Sequence, residues 1–531
     1  MAFVGKLYGF QIPAMKRMLE QRRLLLAFHM GLGKTVITIA AAEELLESGE
    51  IGTAIIISPA SLKYQWRHMI EKFTEDATVT LVEGPPQRRQ LQYSRILTEQ
   101  PDYVLLHYEQ VVNDFQYVKA LPMELIVCDE VQAIKSFRAK RSRRVKRLKS
   151  TYRWGLTGQP VENRPEEVFS VMQWIDPDLL GRFEMFDRTF IKRNSFGGVQ
   201  YYKNLPTLHR RLNKAMERKR RDDPDVRDQL PKITEEIVAV PFDPAGARLY
   251  RHIVKDLLAE LASAKVFGNF NVWAHYSPTA NDDPAMMQAR GRIMSKLTCL
   301  RMLADHPQLL RTSAAAYDHP AHSIANLPAP PLSRRPMGSA YASELAAEGW
   351  LDNLGPSPKF DALVELLRDI NDAGHKCAAF SFFKETLYLL KEALPELRPV
   401  IFTGDQTPRE RDIAKQKFAL DDGCRLFLSS DAGGVGLDLP EASYLVNVNL
   451  NWSAGKHAQR QARIVRLSSE WESVTLVTTV MAGSIEERMY DLLMAKQAIA
   501  DAVVDGRGID AKGRLQLTLA TLTDFLQNST V

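Results

Sequence analysis

The chain has 531 residues, with 69 Lys and Arg against 64 Asp and Glu, and 45 % hydrophobic residues. That apolar share excludes general disorder, and the length favours two to four domains. No apolar run approaches the ~20 residues of a membrane span, and Met1–Leu7 lacks the basic and apolar regions of a secretory signal.

From Leu24 to Thr157, short apolar runs alternate with amphipathic stretches. Leu24–Phe28, Ala54–Ile57, Tyr103–Leu106 and Leu125–Cys128 read as buried strands, with helices over Val36–Leu46 and Tyr64–Phe73. That rhythm predicts parallel sheet with crossover helices. From about Asp176 to Arg311 the pattern is mostly helical, and Ser313–Pro358 is rich in Ala, Ser and Pro, the composition of a linker. Strand runs return at Cys377–Phe380, Val400–Phe402, Leu426–Leu428, Tyr444–Val448 and Val474–Val477. Helices are predicted at Phe360–Leu367, Glu385–Leu394 and Arg409–Phe418. The expected fold is α/β: two parallel-sheet lobes over residues 1–175 and 359–505. A mainly helical insertion (176–312) and the linker (313–358) separate them, and a short helix at Leu515–Leu526 packs on the second lobe.

Charge is concentrated locally. Val131–Val161 holds ten Lys or Arg and no acid, and Arg218-Lys219-Arg220-Arg221 ends a helix-like stretch. Each reads either as an anion-docking surface or as a solvated face. Four widely spaced cysteines without a C-x-x-C pair make a zinc site or a disulfide framework unexpected and point to a reducing, intracellular compartment.

The first strand runs into His29-Met30-Gly31-Leu32-Gly33-Lys34-Thr35 and then a helix. Glycines let backbone N–H groups close around phosphate, the helix N-terminus adds positive potential, Lys34 reaches the β/γ-phosphates and Thr35 offers a hydroxyl to Mg²⁺. The strict pattern has glycine six positions before the lysine, where this chain has Phe28. The strand Leu125–Cys128 ends in Asp129-Glu130. Alone, such a pair equally reads as helix N-terminal acids. Beside a phosphate loop, Asp129 reads as the Mg²⁺ carboxylate and Glu130 as the group that activates water.

These motifs, with others in the same order, resemble the Swi/Snf class of superfamily 2 helicase-like ATPases, DNA translocases with two RecA-like lobes. Met30-Gly31-Leu32-Gly33-Lys34-Thr35 is similar to the family's first motif, and Leu7-Tyr8-Gly9-Phe10-Gln11 resembles its adenine-reading element, which casts Gln11 in that role. Ile57–Leu62 with Gln65-Trp66, Asp129-Glu130-Val131-Gln132 and Leu156-Thr157-Gly158-Gln159-Pro160 resemble further first-lobe motifs. Leu230-Pro231-Lys232 and Asp305-His306-Pro307 resemble two central landmarks. Phe402-Thr403-Gly404-Asp405, Ser429–Leu439 with Gly436 as a nucleotide contact, Gln459–Arg466 and Gly483–Arg488 resemble second-lobe motifs. Gln132, Gln159, Asp438 and Leu467-Ser468-Ser469 depart from the family pattern.

The resemblance implies ATP and Mg²⁺ as cofactors, with Gln459, Arg463 and Arg466 completing the catalytic set across the cleft; in isolation these arginines read as a solvated helix face. It implies DNA contacts from Ser58, Pro59 and Lys63 in the first lobe and Thr403, Gly404, Ser429 and Ser430 in the second. Trp66 is expected in core packing. The partner is duplex or branched DNA, bound without sequence specificity. The expected function is ATP-driven translocation on duplex DNA in replication, repair or recombination. A strand-separating helicase, with Phe267–Tyr276 as its aromatic wedge, and a DNA-binding clamp with a vestigial ATPase are the alternatives. The sequence shows no flanking chromatin-reading module, a compact core more typical of bacterial or viral proteins, which implies a bacterial cytoplasm.

Overall fold

In a computed structural model the described residues are 3–162, 164–193, 199–264, 284–318, 338–355, 357–431, 437–506 and 526. Asn163, Gly436, the Phe267–Tyr276 stretch, residues 319–337 of the Pro/Ala-rich stretch and most of Leu515–Leu526 lie outside them.

Fifteen strands are described. They are β1 (Arg23–Phe28), β2 (Ala54–Ser58), β3 (Val79–Leu81), β4 (Tyr103–His107), β5 (Leu125–Asp129), β6 (Tyr152–Leu156), β7 (Ile191–Arg193), β8 (Val199–Tyr202), β9 (Met216–Lys219), β10 (Lys232–Val240), β11 (Cys377–Ser381), β12 (Val400–Phe402), β13 (Leu426–Ser430), β14 (Tyr444–Asn447) and β15 (Ser473–Met481). The first sheet has the order β3-β4-β2-β5-β6-β1-β9 and the second β10-β15-β14-β11-β13-β12. Every pairing in both is parallel. β7 and β8 form a separate antiparallel pair.

The apolar runs become central strands because both sheet faces are covered. Side chains alternate along a strand. Leu25, Ala27, Ile55, Ile57, Ile126 and Cys128 enter one apolar cluster, while Leu24, Leu26, Phe28, Ala54, Ile56 and Val127 enter the cluster on the opposite face. In the second sheet Cys377, Ala379 and Leu428 face one cluster, and Ala378, Phe380 and Phe427 the other.

The structure corrects the expected boundaries. The chain leaves the first sheet at β9 and enters the second at β10, so it crosses between lobes within residues 220–231 and not at the Pro/Ala-rich stretch. β10 sits in the supposedly helical middle. It was illegible because it is an edge strand, KITEEIVAV, with Ile233 and Ile237 exposed; charged residues are what such edges carry. The helices Pro244–Ala264, Pro284–Asp305, Pro307–Asp318 and Ala340–Ala347 form one apolar layer with residues of the second lobe, including Leu450 and Val480.

The helix Ile485–Val504 belongs to neither lobe alone. Ile485, Met489 and Leu493 pack in the helical layer, whereas Ile499, Ala500, Val503 and Val504 pack in a first-lobe core cluster. Its start is tied by a buried ionic cluster. Lys359 Nζ donates to Glu486 at 2.8 Å and to Asp305 at 3.1 Å, and Asp305 also accepts from Thr386 Oγ1 at 3.1 Å. Removing the cation strands two buried carboxylates. Lys359→Met is expected to cost about 3–5 kcal/mol of stability, read as a lowered midpoint in urea unfolding; an unchanged midpoint would show the cluster to be dispensable.

Candidate nucleotide site between two lobes

The phosphate loop joins β1 to the helix Lys34–Glu47. Gly31 and Gly33 have φ of +85° and +78°, the left-handed region that favours glycine. The Lys34 ammonium donates to the carbonyls of Phe28 at 3.0 Å and His29 at 3.3 Å. Burial lowers its pKa, with Glu130 and Asp129 pulling the other way. Thr35 follows in the first helical turn, and Leu32 is buried beneath the loop. Gln11 is buried against the loop: its Nε2 donates to Leu32 O at 3.0 Å, and its Oε1 accepts from Tyr8 N at 3.0 Å. A Cβ on Gly33 would collide with that Nε2.

Asp129 ends β5, and Glu130 follows it with φ 48° and ψ 53°. Asp129 Oδ1 accepts from Glu130 N at 2.9 Å, and burial followed by the Glu130 charge raises its pKa. Two adjacent carboxylates in such surroundings favour a cation between them and phosphate. Gln132 Nε2 donates to Glu130 Oε2, so the residue that departs from the family pattern holds the second carboxylate.

The sequence missed one partner outright. Trp66 is buried, as expected, yet its Nε1 donates to Asp129 Oδ2 at 2.9 Å. A tryptophan at that helical position signals only apolar packing; its N–H direction is a tertiary fact.

The second lobe meets this site directly. A Cβ on Gly31 would stand 2.8 Å from Val465 O and 3.2 Å from Arg466 Cγ. Arg466 lies 3.0 Å from Asp438 and donates to Leu437 O at 2.9 Å. Arg463 is buried and donates to Leu437 O at 3.1 Å. Burial, then the neighbouring Arg466, disfavours its charge, and Glu130 opposes that. Gln459 is half-buried on the helix Ala454–Gln461. Arg460 is not on a solvated face: it is buried and pairs with Asp431 at 2.6 Å. Leu467 packs against a first-lobe cluster. On a second approach, a Cβ on Gly455 would stand 2.9 Å from Gln159 Oε1.

The basic cluster at 218–221 lies on β9 and the crossing that follows, not on a helix. Arg218 donates to His29 Nε2 at 2.7 Å, Ala27 O at 2.8 Å and Asp505 Oδ1 at 2.8 Å. Burial and the Arg218 charge keep His29 neutral. Much of the other basic run is spent internally. Lys135 pairs with Glu162 and Glu167, Arg144 lies over Phe115, and Lys146 donates to Ser170 at 2.8 Å. Arg147, Lys149 and Arg153 line an open cavity of about 1210 Å³ with Arg22, Arg23 and Lys119.

The expected DNA contacts need the clearest correction. Lys63 is buried and donates to Val82 O. Ser58, Thr403, Ser429 and Ser430 are buried as well. Ser58 and Ser429–Ser430 close central parallel strands, whose ends are covered by neighbours. Only Pro59, half-buried, and Gly404, exposed, are open to a partner.

Comparison with known proteins agrees with this geometry. The model of the SNF2-related domain matches residues 11–309, more than half of the chain, and that of the helicase conserved C-terminal domain matches 358–468. The chain is 26 % identical over 511 residues to the putative ATP-dependent helicase/translocase YwqA of Bacillus subtilis, covering 95 % of this chain and 49 % of that protein. It is 25 % identical to the TATA-binding protein-associated factor mot1 of Schizosaccharomyces pombe, covering 90 % of this chain and 25 % of that one. It therefore spans about half or less of these relatives' length. Its fold is similar to that of the Pyrococcus furiosus Hef helicase domain, with TM-score 0.53, 17 % identity and coverage of 92 % and 99 % of the two chains. Among the described residues no helix is long and apolar enough to cross a membrane. A phosphate loop and acid pair on one parallel sheet, met by paired arginines from a second, together with the match over residues 11–309, establish that this chain belongs to the SNF2-related family.

Proposed function

We propose that this protein hydrolyses ATP between its two lobes and uses the resulting closure and opening to move along duplex DNA, without separating the strands. The observation that carries the reading is the approach of Val465 and Arg466 to Gly31. A nucleotide held by the phosphate loop is then within reach of both lobes, so hydrolysis and lobe position are linked.

In this reading Gln11 reads adenine and the backbone of Met30–Gly33 cradles the phosphates with Lys34; Gly436, outside the described residues, keeps only the nucleotide role that the resemblance implies. Thr35 and Asp129 would hold Mg²⁺. Among the described residues no cluster of three His, Cys, Asp or Glu side chains forms a metal cage, and Mg²⁺ with phosphates needs only one or two protein ligands. The ion would neutralise charge on the β- and γ-phosphates. Glu130, steadied by Gln132, orients the attacking water. Arg463 and Arg466 stabilise charge spreading over the γ-phosphoryl oxygens, with Gln459 beside them. Pro59 and Gly404, at the strand tips of the two lobes, meet the DNA backbone, so binding is sequence-independent and weakens with salt.

ATP turnover measured without DNA and with single-stranded, duplex and forked DNA tests the proposal. Duplex should stimulate most. No stimulation by any DNA would remove the translocase reading, and stimulation by single strands alone would favour a strand-separating enzyme.

Trp66 supplies a finer check. Trp66→Phe keeps the packing and removes the N–H that orients Asp129. Turnover is expected to fall about 10-fold and the Mg²⁺ requirement to rise, as for other groups that orient a metal ligand. A Mg²⁺ titration identical to that of the unaltered protein would separate the tryptophan from the site.

A further inference from the structure

Arg221 opens the crossing from the first sheet to the second. Its Nη2 donates to Met30 O of the phosphate loop at 3.4 Å and to Val465 O of the arginine segment at 3.5 Å. Its Nε is buried and has no partner. Among the described residues, no carboxylate lies within ion-pair distance of it. The same Val465 carbonyl is also approached by Gly31. One guanidinium thus links the loop expected to hold phosphate with the segment that carries Arg463 and Arg466.

This junction is incompletely satisfied. Arg221 lines an interlobe cavity of about 310 Å³ with Gln159, Glu235, His457 and Gln461. Gln159 Oε1 and His457 Nδ1, on two of those residues, are also buried without partners. Both Arg221 contacts are longer than the ~2.9 Å optimum for N–H···O bonds, so its donors are not fully used here. A planar fork with several donors suits two carbonyls on different bodies; a single ammonium suits it less.

Resting on the functional reading above, we propose that Arg221 is a positioning residue: it seats the Arg463–Arg466 segment on the phosphate loop, so that lobe closure and guanidinium placement are one event. Its place on the crossing segment is what makes this possible. The chain passes from the first sheet to the second within residues 220–231, so a contact there lies where the lobes are joined.

The test uses the full chain with duplex DNA and compares Arg221→Met and Arg221→Lys with the unaltered protein. Methionine keeps the apolar stem and removes every donor. Turnover at saturating ATP is expected to fall roughly 10- to 100-fold in Arg221→Met, the loss of a charged hydrogen-bond pair. The dissociation constant of a fluorescent ATP analogue should change by less than about threefold, because only the closed arrangement is weakened. Lysine should restore part of the turnover. Thermal unfolding checks that each variant is folded; if Arg221→Met is not, the same split between turnover and affinity in Arg221→Lys decides. Unchanged turnover, or a loss appearing in nucleotide affinity, overturns the proposal. Absence of turnover in the unaltered protein overturns the functional reading and this inference with it, whereas activity retained in both proteins overturns this inference alone.

Discussion

Replacing Arg466 by alanine is expected to cut DNA-stimulated ATP turnover by roughly 10³–10⁵-fold, the range for loss of an arginine finger. The argument is geometric. Arg466 approaches the phosphate loop from the second lobe, with its Cγ 3.2 Å from where a Gly31 Cβ would stand. Its guanidinium is presently held by Asp438 and Leu437 O. These partners fix the guanidinium beside the loop, and a γ-phosphate would give it a stronger counter-charge. Because the arginine touches neither the phosphate loop's amides nor Lys34 Nζ, ATP should still bind. Measuring turnover and fluorescent-analogue binding side by side checks both halves. A variant that hydrolyses ATP within a fewfold of the unaltered protein would show that hydrolysis does not require the second lobe.

Replacing Lys34 by alanine should act earlier. The ammonium rests on the Phe28 and His29 carbonyls, close enough to Asp129 and Glu130 for their charges to oppose the cost of its burial. In the proposed function, bound ATP would exchange those carbonyls for phosphate oxygens, a charge-assisted contact at the site of developing charge. Its loss is expected to reduce turnover by about 10²–10³-fold or more and, unlike the loss of Arg466, to weaken ATP binding too. Lysine and arginine are not interchangeable here: a planar fork does not fit a pocket built of two strand-end carbonyls, so Lys34→Arg should fail as well. Full ATP binding in Lys34→Ala would remove the phosphate-loop assignment.

The paired outcomes also separate the two lobes. A defect confined to turnover belongs to the second-lobe arginines and to Arg221, which docks them. A defect in affinity belongs to the first lobe. Gln132 and Leu467, both departures from the family pattern, lie on this boundary. Gln132 donates to Glu130, and Leu467 packs into a first-lobe cluster. Both residues thus make a contact beside the site.

Central parallel strands were legible from sequence because burial on both faces demands unbroken apolar runs such as Leu24–Phe28 and Leu125–Cys128. The turn after β1 was legible because glycine is favoured at the positive φ of positions 31 and 33. These are local demands, written where they act. Tertiary structure alone decided that Lys232–Val240 joins the second sheet, that Trp66 donates to Asp129, and that Lys63 points inward. It also decided that Arg218 and Arg221 close on a loop some 190 residues earlier, and that one helix, Ile485–Val504, packs into two cores. In each case the partner is distant along the chain, and an edge strand or a charged side chain has no periodicity to announce it. Its meaning is set by what folds against it.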